Sequence, residues 1–265
     1  MGKAIASELV QKGAIVTIMA RREAELKIAV EELSSKGRSI SYLVGDVTDP
    51  DALTKVFDVL INCAGSASTG FFADQEPSVF EKQMKLNYLG SVYPSHCLVT
   101  QWIKNGTKGK IVFISSTLGL MGMVGYSPYS PTKFAIRGLA ESLRQELKPH
   151  GISIHVYYVG TIDTPGQKAE NETKPLVTKL LEEGDISDSS PRVRAQTLIQ
   201  GIEDDCFAIS SDLLTDLIHA SSFGSAPRGN IFVDWVKSTI ANAGLPIWSW
   251  FADRTVQRSF KNKLN

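Results

Sequence analysis

The chain has 265 residues, 28 lysines and arginines balanced by 28 acids, 43% hydrophobic residues and three cysteines. A formal net charge of zero provides no field for holding phosphate backbones, which excludes a general nucleic-acid binder. The apolar share fits a folded chain of one α/β domain or two small ones. Cys63, Cys97 and Cys206 are odd in number and widely spaced, so they support neither a disulfide framework nor a structural metal site.

Met1 to Lys12 reads as a helix, with Ile5, Leu9 and the small Ala4 and Ala6 near one face, and Lys12-Gly13 ends it. Ala14 to Ala20 is a continuously apolar strand, Glu23 to Lys36 a second helix and Ser39 to Val44 a second strand. After Asp46-Val-Thr-Asp49 a further helix would have to end at Phe57. The remaining strands are Val59 to Asn62, Lys110 to Ser115 and Ser153 to Val159, with helices between them. Strands that are apolar on both faces, each followed by a helix, predict an α/β fold: a doubly wound parallel sheet in a single domain over residues 1–265. Ligands of such sheets sit outside the carboxyl ends of the strands. No run reaches the roughly 18 apolar residues of a spanning helix, and no signal-peptide pattern is present.

Three signals stand at those strand ends. Ser116 lies at the end of a buried strand, in Ser115-Ser-Thr-Leu-Gly119, thirteen residues before Tyr129. Tyr129 and Lys133 are four apart on a helix that Ser127 would cap and Pro128 begin, which puts both side chains on one face. A hydroxyl, a phenol and an ammonium would thus converge. Charge developing on a ketone oxygen during reduction needs a proton donor and a hydrogen-bond donor in place, and a neighbouring ammonium favours a phenolate. Asn62-Cys-Ala-Gly65 follows the third strand with small residues that permit close approach of backbone to a ligand, or that form a simple turn. Asn87 is polar within an apolar helical stretch, and taken alone it reads as a core residue bonding backbone carbonyls.

Asn62-Cys-Ala-Gly65, Asn87, Ser116, Tyr129 and Lys133, in that order and spacing, resemble the short-chain dehydrogenase/reductase family. The resemblance implies a Rossmann-like fold, a nicotinamide cofactor and a catalytic tetrad of Asn87, Ser116, Tyr129 and Lys133. In it, Tyr129 is the general acid and Ser116 orients the carbonyl. Lys133 binds the nicotinamide ribose and lowers the Tyr129 pKa, and Asn87 holds a water on the proton path. Cofactor contacts are expected from Gly2, Asp46, Val47, Asn62, Ala64, Gly65, Tyr129 and Lys133, and from Gly160, Ile162 and Thr164 beyond the fifth strand. The second strand of the family's Rossmann unit ends here as Met19-Ala20-Arg21-Arg22, with no acid to accept from a ribose 2′-hydroxyl. Arg21 and Arg22 suit a 2′-phosphate, which favours NADPH over NADH.

Two departures accompany the resemblance. Met1-Gly2-Lys3 looks like the tail of the family's glycine-rich phosphate loop, so the first strand and most of that loop are absent from the chain. The connection from Asp46 to Asn62 is short for a right-handed crossover. The expectation is that residues of a longer protein are missing before Met1 and between Phe57 and Asp58.

The substrate is narrowed by the segments from Asn87 to Ser95, Lys133 to Leu143 and Asp163 to Pro175. They resemble the branch of the family that reduces the 3-keto group of long-chain sphingoid bases, which implies a long-chain keto-sphingoid substrate. Other family substrates, whether steroid, retinoid or 3-oxoacyl, stay open, as does a non-catalytic NADP-binding scaffold. Residues 230–265 carry Trp235, Trp248 and Trp250 ahead of Arg254, Arg258, Lys261 and Lys263. Such a segment suits a membrane interface or an oligomer contact. Gly244 and Pro246 would keep it from being one straight spanning helix. The resemblance further implies a homodimer or homotetramer and a place at the cytoplasmic face of the endoplasmic reticulum membrane.

Overall fold

In the computed structural model the described residues are 1–34, 40–53, 55–182, 190–224 and 226–261. Among these residues six strands, all paired in parallel, form the centre: β1 Val16–Ala20, β2 Ile40–Val44, β3 Val59–Asn62, β4 Lys110–Ile114, β5 Ser153–Tyr158 and β6 Ala208–Ser210. The described residues also form ten α-helices that connect and cover them: α1 Gly2–Gln11, α2 Glu23–Ser34, α3 Pro77–Gln83, α4 Gly90–Asn105, α5 Ser130–Leu147, α6 Pro165–Thr173, α7 Leu176–Glu182, α8 Pro191–Glu203, α9 Leu213–Ser221 and α10 Ile231–Lys261.

The central strands are mostly apolar because both of their faces are covered. Side chains alternate along a strand, and Ile111 and Phe113 of β4, with Ile154 and Val156 of β5, pack against Leu98, Trp102, Ile136 and Ala140 of α4 and α5. Their neighbours Val112 and Tyr157 face the opposite way, against Ile5 of α1 and Ala195 and Leu198 of α8. This sandwich fixes the ends of β4 and β5 and the helices that start beside them.

The strands form two sheets, β1-β2 and β3-β4-β5-β6, with no strand between β1 and β3 among the described residues. Helix α1 bridges the division. Its Ile5 packs with the larger sheet, and its Ala6 and Val10 pack with Val16 of the smaller one.

Several sequence expectations need correction. The helix expected to end at Phe57 is not formed: the described residues from 45 to 58 are turns and irregular chain, which Pro50 and the short span favour. Phe57 accepts a hydrogen bond from the Trp102 indole at 2.9 Å, and Asp58 accepts one from the Lys110 amide at 3.0 Å, so the chain is tied down as it enters β3. Helix α2 is described to Ser34, and the expected extension to Lys36 and the strand start at Ser39 lie outside the described residues. Helix α5 begins at Ser130 rather than Pro128, with Pro131 near its start, where a missing N–H costs least. Ser127 and Pro128 belong instead to a turn closed by the Tyr129 and Ser130 amides on the Tyr126 carbonyl. Helix α10 runs unbroken through Pro246, capped by Asn230, whose side-chain oxygen accepts from the amides of Phe232 and Val233. No helix among the described residues is long and apolar enough to cross a membrane.

Candidate active site

The ends of β4 and β5 and the start of α5 open onto a cavity of about 1100 Å³. Ser116, just past β4, has a buried side chain whose hydroxyl accepts from the Leu118 amide at 3.2 Å. Tyr129 stands at the N-cap of α5, with the Ser116 hydroxyl near enough to act on its phenol. Lys133, one turn into α5, is buried and donates to the Ile114 carbonyl at 2.9 Å, with its ammonium 5.5 Å from the centre of the Tyr129 ring. The close packing of α5 on this loop needs a glycine: a Cβ at Gly119 would lie 2.5 Å from Ser115 Oγ and 2.9 Å from the Lys133 carbonyl oxygen.

The proton affinities differ from the sequence expectation. Burial pushes the Tyr129 phenol above its ordinary value, the nearby Ser116 hydroxyl opposes this, and the Glu170 carboxylate raises it further. The resemblance implies that Lys133 lowers the Tyr129 pKa, but here its ammonium donates to the Ile114 carbonyl and burial of the phenol dominates. Burial lowers the Lys133 pKa to about 8. Tyr129 is therefore held as a neutral phenol, the form that donates a proton.

Asn87 occupies a π-helical turn over Met84–Leu89, between α3 and α4. Such turns widen a helix locally and are frequent at functional sites. Its side-chain oxygen accepts from the Ser66 amide at 3.0 Å, and its amide nitrogen donates to the Ser66 carbonyl at 3.0 Å, Gln83 at 3.1 Å and Thr132 at 3.1 Å. Asn87 thus clamps the segment after β3 to the first turn of α5. A Cβ at Gly65 would lie 3.0 Å from Asn87 Oδ1 and 3.8 Å from Lys133 Nζ, so the glycine keeps this surface open. Asn62 donates to Ser95 at 3.0 Å, Ser95 to the Ser91 carbonyl and Ser91 to the Asn87 carbonyl, a hydrogen-bonded ladder along α4. Asn62 is buried in that ladder and does not line the cavity.

Of the other expected cofactor residues, Gly65, Gly160, Ile162 and Thr164 line the cavity, together with Met1 at the N-terminal end of α1. Gly2 follows Met1 and packs near Cys63, and Ala64 is exposed beside Gly65. Gly160 donates its amide to Ser211, and Thr164 caps α6. Arg21, Arg22, Asp46 and Val47 lie apart, at the carboxyl ends of β1 and β2. There Arg21 pairs with Asp46 at 3.6 Å, Arg22 with Glu25 at 2.7 Å, and Val47 packs where a Cβ on Gly90 would fall.

These positions fit a dinucleotide. The half-buried Tyr129, the buried Lys133 and the open Gly65 surface suit a nicotinamide ribose, the amide end of α1 suits a pyrophosphate, and the exposed guanidiniums suit a terminal phosphate.

Sequence reasoning missed one wall of the cavity. Tyr126, Glu170, Lys174 and Glu182 line it, as do Ile240, Leu245 and Trp248 of α10. No short motif unites them, because the first four come from the turn before α5, from α6 and its end, and from α7.

A class of dinucleotide-dependent oxidoreductases is defined by this fold and site, and residues 1–175 match the short chain dehydrogenase family. The chain belongs to that family. It is 35% identical to a 3-ketodihydrosphingosine reductase of Cryptococcus neoformans, over 100% of this chain and 83% of that protein. It is 42% identical to the 3-ketodihydrosphingosine reductase of Mus musculus, over 69% of this chain and 59% of that protein. Among solved structures, a short-chain dehydrogenase from Sphingobium yanoikuyae in complex with NADPH shares the fold, with a TM-score of 0.72 at 21% identity over 86% of this chain and 92% of that one.

Proposed function

We propose that this protein reduces 3-ketodihydrosphingosine to dihydrosphingosine with NADPH. The observation that carries the reading is that Ser116, Tyr129 and Lys133 line one cavity together with the apolar Ile240, Leu245 and Trp248 of α10. Relatives named for this reaction, aligned across the whole chain, support the choice of substrate.

A bound NADPH supplies the hydride that adds to the ketone carbon. The chain does the rest. Ser116 donates to the carbonyl oxygen and fixes its position, and Tyr129 delivers its proton there as negative charge develops. Lys133 holds the nicotinamide ribose and steadies the phenolate left behind. Asn87 keeps the backbone at Gly65 and Ser66 against α5, where it can hold a water that returns a proton through Lys133. Arg21 and Arg22 receive the 2′-phosphate, with Asp46 and Val47 beside the adenine.

The same reading places the enzyme at the cytoplasmic face of the endoplasmic reticulum membrane. Phe232, Trp235, Ile247, Trp250 and Phe251 of α10 are exposed, Arg254 stacks on Trp250 at 3.8 Å, and Arg258 and Lys261 follow. Helix α10 also lines the cavity, so a long-chain substrate would pass from lipid to Tyr129 with little exposure to water, which costs about 0.8 kcal/mol per CH₂. A second copy would pack on α4 and α5, where Ile103 and Phe134 are exposed.

The test is NADPH oxidation with 3-ketodihydrosphingosine beside a steroid ketone and a 3-oxoacyl thioester. Preference for the sphingoid ketone supports the reading. Preference for either of the others, or no oxidation with bound NADPH, removes it.

A further inference from the structure

The cavity holds a charged group that ketone reduction alone does not use. Lys174 is buried, and its ammonium reaches Glu170 Oε1 at 2.9 Å and Glu182 Oε2 at 2.7 Å. The Tyr126 hydroxyl donates to Glu182 Oε1 at 2.7 Å and is equally placed to donate to Glu170 Oε1. A phenol has one proton, so it serves one carboxylate at a time. Glu170 Oε2 takes no hydrogen bond among the described residues. The cluster therefore has two carboxylates against one ammonium, with acceptor capacity left over, in a place where unsatisfied charge is costly.

Its position ties it to the reaction centre. Tyr126 and Tyr129 have ring centres 6.0 Å apart, and the Glu170 carboxylate is close enough to raise the proton affinity of Tyr129 by its charge. A simple ketone with an alkyl chain gains nothing from a surplus carboxylate beside its carbonyl and loses by desolvating it. A substrate with an ammonium on the carbon next to the carbonyl matches the charge and supplies the missing donors.

We propose that Glu170, backed by Glu182, binds the ammonium group adjacent to the substrate carbonyl and selects aminoketones over plain ketones. The proposal rests on the reading that this cavity reduces 3-ketodihydrosphingosine, whose 2-amino group is that ammonium. Lys174 and Tyr126 hold the two carboxylates in place, and the substrate ammonium takes the open oxygen of Glu170. Glu170 thereby fixes which face and which carbon of the headgroup meet Tyr129.

The test compares wild type with Glu170→Gln, Glu170→Asp and Glu182→Gln on two chain-matched ketones, 3-ketodihydrosphingosine and its analogue lacking the amine. NADPH affinity, read by fluorescence, checks that each variant is folded. The expected result is that Glu170→Gln loses about 10- to 100-fold in kcat/KM on the aminoketone, chiefly through KM. On the amine-free ketone the same variant stays within about threefold of wild type. Glu170→Asp recovers part of the loss, and Glu182→Gln shows a smaller loss of the same kind. Equal losses on both ketones, or equal wild-type kcat/KM for both, would overturn the proposal while leaving the reductase reading intact. A wild-type protein that reduces only other ketones would overturn that reading instead.

Discussion

The two ends of the proposed dinucleotide site are built differently. At the reaction end, Ser116 and Lys133 are buried, Tyr129 is half-buried, and all are held by the packed elements β4 and α5. Asn87, 1% exposed, ties that assembly to the segment after β3 through two hydrogen bonds with Ser66 and one to Thr132. At the adenine end, the Arg21 and Arg22 side chains are 71% and 78% exposed, and each meets one carboxylate. Proton delivery needs groups fixed to within fractions of an ångström in a low-dielectric site, whereas discrimination of a phosphate needs only charge within reach. Exposed ion pairs contribute little until a ligand desolvates them. Substitutions should therefore act steeply at one end and gently at the other.

The largest contrast is expected from Tyr129→Phe. Loss of the proton donor should lower kcat by about 10²- to 10⁴-fold, while NADPH affinity by fluorescence titration stays within a few-fold. A comparable loss of NADPH affinity would mean that the two ends are not separable.

Lys133 gives a second test, through pH. Its folded pKa lies below the ordinary lysine value, at about 8, so the unfolded chain binds more protons between pH 8 and the ordinary value near 10.5. Its contribution to stability therefore rises with pH through that window, and below pH 8 the buried ammonium is unfavourable by on the order of 3 kcal/mol. Against Lys133→Met, the wild type should gain about that much between pH 7 and pH 11 in denaturant titrations of the cofactor-free protein. A pH-independent difference would contradict the burial argument.

At the open end, Arg21→Glu should shift the preference from NADPH toward NADH by about tenfold, measured as the ratio of kcat/KM values, with kcat almost unchanged. The smallest effect is expected from Ser95→Ala, which breaks the ladder from Asn62 to Asn87. It should cost about 1 kcal/mol of stability in a thermal melt.

The sequence made the reaction end legible because its parts are local. Tyr129 and Lys133 are one helical turn apart, Ser116 ends a strand apolar on both faces, and an asparagine in an apolar helix stands out. The strands were readable for the same reason, since burial on both faces leaves continuous apolar runs. Other features depended on partners distant in the chain. Asn62 reads as a ligand contact, yet its amide is taken by Ser95. Tyr126, Glu170, Lys174 and Glu182 belong to separate elements, and only the folded chain brings them together. Strand β6 has three residues, too few for a pattern, and it forms because β5 offers it an edge. Pro246 suggested a break in α10, but a proline removes a single backbone donor, and the helix continues past it.

Helix α10 joins these threads, since it carries exposed aromatic residues and also closes the cavity. Flotation with anionic vesicles should recover the wild-type protein in the lipid fraction, and Trp235→Ser with Trp250→Ser should reduce that recovery severalfold. Equal recovery would remove α10 as the membrane contact.

The central claim is that Tyr129 protonates a sphingoid ketone inside this cavity. Its most direct test is NADPH oxidation with 3-ketodihydrosphingosine by wild type and Tyr129→Phe, side by side at saturating cofactor. The account predicts formation of dihydrosphingosine by the wild type and almost none by the variant. Undiminished turnover by Tyr129→Phe would contradict it.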